Sequence, residues 1–382
     1  MDILKFKAGN YIQQRGYKSF IPEKINHEWI ISDPKLNNLL SEASRCLGKL
    51  DMFSEYIPSI DLFIQMHVTK EATQSSKIEG TKTNIEDAFL KEENIDPEKR
   101  DDWLEVQNYI KAMNEAIHLM ESTTIQASLP LSNRLIKKTH KLLLQGARGK
   151  HKLPGEFRNS QNWIGGATLK DATFIPPPHT EVPDLMSDLE KFFHNEEILV
   201  PHLLKSAIVH YQFETIHPFL DGNGRIGRLL ITLYLVHSGL LKRPVLYLSD
   251  FFEKNRQLYY DNLMNARMKN DLIQWLKFYL IGIIETSTNS IATFNKILKL
   301  KDVHEQQILL LGTKARRAKF LLDFLFEKPI IEAQDVSDNL GISMPTAYKF
   351  IAEFMHLGIL KDRTNFQRNR SWEFTEYLNL FK

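Results

Sequence analysis

Residues 217–228 read HPFLDGNGRIGR. Within them GNGRIG has the glycine spacing of a dinucleotide-binding turn, with Asp250 not far from the place of the ribose-binding acid. Such a turn leaves a buried parallel strand directly, whereas here the approach contains Pro218, which lacks a ladder donor. Upstream, HLLKSAIVHYQFETI (202–216) sets Leu203, Leu204, Ala207, Ile208 and Tyr211 at the spacing of an amphipathic helix. The stretch therefore joins helix to helix and is no dinucleotide fingerprint.

Its own chemistry points to phosphate. Gly222, Asn223 and Gly224 leave the backbone free to converge its amides on an anion, and a helix beginning there adds its positive end. Arg225 and Arg228, three apart on the first turn, carry planar forks suited to phosphate oxygens, and two of them imply more than one phosphate. Asp221 beside this positive site fits a Mg²⁺ ligand, and His217 fits a general base. Taken singly, a histidine before proline is usually a helix-end cap and surface arginines are usually solvated; together in twelve residues they describe a phosphoryl or nucleotidyl transfer site.

The rest of the chain sets this site on a helical body. Its 382 residues predict about two or three domains. A hydrophobic content of 43% and a charged content of 25% are those of an ordinary globular protein. With 49 basic against 47 acidic residues the net charge of +2 gives no global footprint for nucleic acid or a membrane surface. The single cysteine, Cys46, excludes an intrachain disulfide. The first residues lack the pattern of a signal peptide, and the longest apolar run, LLITLYLVHSGLL (229–241), is too short to span a bilayer, so a cytoplasmic protein with no membrane partner is expected.

Apolar spacing predicts helices over 33–53, 58–78 and 102–122. Residues 150–183 turn rich in Gly, Pro and Asn, with short β-prone pieces at NWI and TFI that predict a loop and hairpin. Helices resume from 184, with PVLYLSD (244–250) as the one candidate strand, and KLKDVHEQ, beginning at Lys299, reads as a charged joining segment. Beyond it a helix, a helix-turn-helix with Gly341 in the turn and two short strands predict a winged helix-turn-helix. The expected units are an N-terminal helical region (1–100), a catalytic core (101–297) and this last domain (298–382).

HPFLDGNGRIGR also matches in full the H-P-F-x-[DE]-G-N-G-R-x-x-R signature of Fic-domain proteins, and PGEFRNSQNWIGG (154–166) and IPPPHTEV (175–182) resemble the Fic flap region. The resemblance implies an all-α fold, a Fic-type helical core with a small β-hairpin flap, and transfer of AMP from ATP to a Ser, Thr or Tyr hydroxyl of a target protein or of the chain itself. It makes His217 the base, Asp221 the Mg²⁺ ligand, and Gly222, Asn223, Gly224, Arg225, Ile226, Gly227 and Arg228 the ATP-binding residues. It places the flap residues Trp163, Ile164, Gly165 and Gly166 along the nucleotide, where they would dock the target by strand addition. Tyr259 and Tyr260 fall in a segment similar to the family's adenine side, with a core role as the other reading. SSKIEG (75–80) fits the family's [ST]-x-x-x-E-[GN] inhibitory motif, which implies that Glu79, with Ser75, forms a bidentate pair with Arg228 and blocks the γ-phosphate. Pairing of two copies is also implied.

Other functions fit parts of the pattern. The same site could remove AMP, with Glu79 placing a water, or transfer another phosphate-containing group. The last domain could read DNA through SMPTAYKF (343–350), with Lys314, Arg316, Arg317 and Lys319 on phosphates and a basic wing DRTNFQRNR (362–370). Against that, Lys349 is the only basic residue of the reading helix, which leaves a protein-binding role open.

Overall fold

A computed structural model describes residues 1–57, 60–121, 128–146, 149, 151–363 and 370–382. The first 31 residues, for which the sequence offered no element, hold an antiparallel hairpin of β1 (Gly9–Gln13) and β2 (Lys18–Pro22). Gly9 has φ 145°, and a Cβ there would lie 2.1 Å from the Ile21 carbonyl oxygen, so the close pairing requires glycine. The hairpin props the 150–183 loop: the Phe20 amide donates to the Ile175 oxygen at 2.9 Å.

Helices make the body. Asp33 caps α1 (Pro34–Tyr56), its side chain accepting from the Leu36 amide while Pro34 fills the first turn. α2 (Ile60–Ile78) is flanked by other helices and buries Phe63, Met66, Ala72 and Ile78 together with His67, Thr69, Glu71, Thr73, Ser75 and Ser76. α3 (Arg100–Glu121) and α4 (Asn133–Leu143) pack together, and α5 (Val182–His194) follows the loop.

α6 (His202–Ile216) was expected to be amphipathic, but every residue from Leu203 to Ile216 is buried. Several of its polar side chains find partners inside: Lys205 donates to the Asn195 oxygen, Ser206 bonds Tyr279, and Gln212 donates to the Glu23 oxygen. α7 (Asn223–His237) is also buried along most of its length, and among the described residues no helix is long and apolar enough to cross a membrane.

PVLYLSD is not a strand. Residues 244–248 form neither strand nor helix, the Leu246 oxygen accepting from Thr232 Oγ1, and Ser249 opens α8 (Ser249–Lys254). After α9 (Arg256–Lys269) comes α10 (Leu272–Leu309), a 38-residue helix that absorbs the expected joining segment. From Gly282 to Gly312 the sequence has no glycine or proline between them, and the buried stripe Phe294, Ile297, His304, Ile308 continues through the charged stretch.

The C-terminal unit runs α11 (Ala315–Glu327), β3 (Ile330–Glu332), α12 (Ala333–Leu340), α13 (Met344–His356), β4 (Lys361–Asp362), β5 (Ser371–Glu373) and α14 (Thr375–Asn379), with antiparallel sheet order β3-β5-β4. Most of the wing lies outside the described residues. The unit packs on α2: Phe326 meets Phe63 edge-on at 5.4 Å, and Phe381 meets His67 at 5.1 Å.

Candidate active site

α6 ends at His217, whose φ of 50° and ψ of 60° turn the chain left-handed while its amide still donates to the Phe213 oxygen. Pro218 cannot continue the helix, and the loop that follows is held from three directions. Arg158 Nε donates to the His217 oxygen at 2.9 Å, and Asn162 Nδ2 donates to the Phe219 oxygen at 2.8 Å. The His140 ring stacks on Phe219 at 3.7 Å, with its Nε2 3.0 Å from the Asp221 oxygen. Asn223, expected on phosphate, staples the loop from inside: its Oδ1 accepts from the Phe219 amide and its Nδ2 donates to the Phe219 oxygen, both at 2.8 Å. Gly222 makes the turn into α7 with φ 76°.

The cradle at the start of α7 already faces an anion, and it belongs to the chain. A Cβ built on Gly224 would lie 2.2 Å from Glu79 Oε1, so the Glu79 carboxylate rests where the first turn is open. Arg228, 2% exposed, gives Nη2 to Glu79 Oε1 at 2.6 Å and to the Ser75 oxygen at 2.8 Å, and Nε to Ser75 Oγ at 2.9 Å. The expected two-pronged pair with Glu79 is thus a guanidinium divided between Glu79 and Ser75. Burial opposes the charge on Glu79, but Arg228 outweighs it and holds the carboxyl below its usual range; Glu79 in turn keeps Arg228 charged against its own burial. Arg256 secures the segment, donating to the Ile78 oxygen at 2.6 Å.

Residues 37–118 match the family described as Fic/DOC family N-terminal, and residues 130–235 match the Fic/DOC family. Those two stretches carry the domains of the Fic/DOC family. It is 34% identical over 176 residues to a probable protein adenylyltransferase of Aquifex aeolicus, covering 46% of this chain and 50% of that one. It is also 34% identical over 125 residues to the protein adenylyltransferase Fic of Aedes aegypti, covering 32% of this chain and 22% of that one. The chain thus spans half the length of the first relative and about a fifth of the second. The fold resembles that of a Fic family protein from Desulfovibrio desulfuricans, with a TM-score of 0.55 at 20% identity over 91% of this chain and 98% of that one. It also resembles Fic-1 from C. elegans, with a TM-score of 0.52 at 22% identity over 70% and 75% of the two chains.

The Fic match spans the whole loop, and its N-terminal counterpart spans Ser75 and Glu79. It also spans Glu105, an acid that sequence reasoning missed: Arg225 Nη1 pairs with Glu105 Oε2 at 2.9 Å, and Nη2 lies 3.6 Å from Asp221 Oδ1. The two arginines therefore answer to different helices, Arg225 to α3 and Arg228 to α2. Ile226 is buried in the core with its amide bonded to the Gly222 oxygen, and Gly227 lies against Glu214 of α6, so neither opens onto the loop.

His217 keeps 19% of its side chain exposed, and its partial burial beside Arg267 and Arg158 pushes its pKa down to about 3, so it is a neutral acceptor at physiological pH. The expected flap hairpin pairs over one position, Ile164 with Phe174. Gly165 and Gly166 turn there with φ near 70°, and Trp163 is exposed. Tyr259 lies in the core: it is 1% exposed, stacks on Phe252 at 4.5 Å and bonds His210 Nε2 through its hydroxyl at 2.9 Å. Tyr260 stays open to solvent beside it.

Among the described residues no cluster of three His, Cys, Asp or Glu could hold a metal ion. Asp221, with its side chain 46% exposed, offers one carboxylate, which fits Mg²⁺ held mainly by nucleotide phosphates and water.

Proposed function

We propose that the chain is a protein adenylyltransferase that moves AMP from ATP to a Ser, Thr or Tyr hydroxyl, on a target protein or on itself, and is held inactive by Glu79. The observation that carries this is the Glu79 carboxylate seated at Gly224 and on Arg228, an internal anion in the place prepared for phosphate. With Glu79 swung away, the amides of the first turn of α7, with Arg225 and Arg228, receive the phosphates; Asp221 would hold Mg²⁺, which would supply charge neutralisation. His217, neutral and at the mouth of the loop, takes the hydroxyl proton. The hydroxyl oxygen bonds to the α-phosphorus as the bond to the β-phosphate oxygen breaks, and pyrophosphate leaves. Trp163 to Gly166 lie beside the loop through Asn162, consistent with a target strand laid along them.

Full-length wild type, Glu79→Gly and His217→Ala incubated with Mg²⁺ and ATP labelled in turn at the α- and γ-phosphate test this reading. Label from the α-position only, on the order of a hundredfold stronger in Glu79→Gly than in wild type and absent in His217→Ala, is the expected result, since two like charges compete for one arginine. Label from the γ-position, or equal labelling of wild type and Glu79→Gly, would overturn it.

We read the chain as an N-terminal region to residue 100, a catalytic core to 297 and, from 298, a winged helix-turn-helix whose support is the α11-β3-α12-α13-β4-β5 order and the antiparallel sheet. Several of the basic groups expected on DNA are engaged with acids: Lys314 with Glu353, Lys319 with Glu305 at 3.4 Å, and Arg370 with Asp362. These ion pairs favour contact with protein over DNA for that unit.

A further inference from the structure

α6 buries Glu214 without giving it the hydrogen bond its neighbours have. The residue is 6% exposed, its Oε1 has no partner, and its Oε2 lies 3.9 Å from His217 Nδ1, whose other neighbour is the Glu214 backbone, in a contact short of good hydrogen-bond geometry. The carboxyl thus turns Oε2 toward the expected base, too far for a hydrogen bond as it stands, and Oε1 toward Gly227. α7 makes room for the carboxyl: a Cβ on Gly227 would sit 2.2 Å from Glu214 Oε1. Gly227, expected to bind nucleotide, instead admits Glu214 to its place beneath His217.

We propose that Glu214 is the positioning residue of His217, its carboxylate accepting a hydrogen bond from Nδ1–H so that Nε2 presents its lone pair to the target hydroxyl. The inference rests on the AMP-transfer reading. As the hydroxyl oxygen bonds to the α-phosphorus and pyrophosphate departs, the hydroxyl proton moves to Nε2. The resulting imidazolium is held by the Glu214 carboxylate until Nε2 releases the proton to solvent. A carboxylate that orients and stabilises a histidine base without itself taking the proton is an established division of labour.

The charged groups around the pair come from several elements: Arg228 from α7, Arg267 from α9, Arg158 from the 150–183 loop and Glu79 from the turn after α2. Burial, with Glu79 adding to it, pushes the Glu214 carboxyl up to about 7 against the pull of Arg228 and Arg267. The ionised form is the one that accepts from Nδ1–H, so in Glu79→Gly, where the raising charge of Glu79 is gone, the rate is expected to rise with pH as Glu214 ionises, at a lower pH than beside Glu79.

The test uses full-length Glu79→Gly, with and without Glu214→Gln. The expected result is a kcat lower by on the order of a hundredfold in Glu214→Gln, with KM for ATP within about threefold and the rise with pH lost. Gly227→Ala, which displaces the carboxyl and leaves it in the sequence, should lower kcat in the same way. Nitrogen NMR of His217 reads the tautomer without substrate: Nδ1–H is expected, shifting when Glu214 becomes Gln. Unchanged kcat and pH profile in Glu214→Gln, or an Nε2–H tautomer in the parent, would overturn the proposal. If Glu79→Gly itself transfers no AMP, the activity reading falls, and the tautomer alone decides for or against the Glu214–His217 pair.

Discussion

At the scale of single residues, the site is made by groups that hold the loop as much as by those that face a nucleotide. Asn162 is an example, since its Nδ2 serves the oxygens of both His217 and Phe219. Asn162→Ala takes one of two donors from each carbonyl, leaving Arg158 Nε on one and Asn223 Nδ2 on the other, and is expected to cost about 1 kcal/mol of stability, read as a lower midpoint in urea with an unchanged slope. It should also depress AMP transfer in a Glu79→Gly background. A midpoint equal to wild type would show that the bonds are dispensable. His217, Asp221 and the two arginines were legible because their chemistry sits within twelve residues. Asn162, Arg158, His140 and Glu105 were not, because each meets the loop across a long separation: Glu105 stands 120 positions from Arg225. Glu214 stood next to the motif, but only the burial of α6 on all sides makes its carboxyl conspicuous. For Tyr259 both readings were open, and its bond to His210 places it in the core.

At the scale of elements, periodicity located helices well and judged their surroundings poorly. α1, α2 and α3 fall where apolar spacing predicted them, but α6 has no solvent face, and most of its polar residues, though not Glu214, are satisfied internally. α10 runs on through a charged stretch, because charge on the outer face does not stop a helix that lacks glycine, proline or a cap. The β1–β2 hairpin left little trace: five-residue strands with a mixed pattern carry too weak a period, and their pairing with the 150–183 loop is a tertiary fact. The continuity of α10 can be tested at Lys299, an exposed position inside the expected joint. Lys299→Pro in a helix interior should cost roughly 3 kcal/mol or more and open a protease site near 299, whereas a true linker would accept it with an unchanged melting temperature.

At the scale of the whole molecule, the N-terminal region, the core and the C-terminal unit meet on α2, the helix that leads into Glu79, so the clamp on Arg228 stands on packing from all three. Three buried histidines and the partly covered His217 bear on global stability: His67, His210 and His217 are pushed to about 3 and His140 to about 4, each first by loss of hydration. Their pKa values are depressed in the folded state, so between about 6.5 and 4 the unfolded chain binds protons that the folded chain does not. Stability is therefore whole above the unfolded value and is lost as pH falls, by up to about 1.4 kcal/mol per pH unit for each histidine. The melting temperature should drop from pH 7 to pH 5, and replacing His67 by Phe should shallow that drop; a flat profile would contradict the burial. The claim on which the account rests is that Glu79 occupies the phosphate cradle and holds back AMP transfer, and the rate of pyrophosphate release from Mg²⁺ and ATP reads it most directly. The account predicts release at least tenfold faster from Glu79→Gly than from wild type, abolished when His217→Ala is added; equal rates in the presence and absence of Glu79 would contradict it.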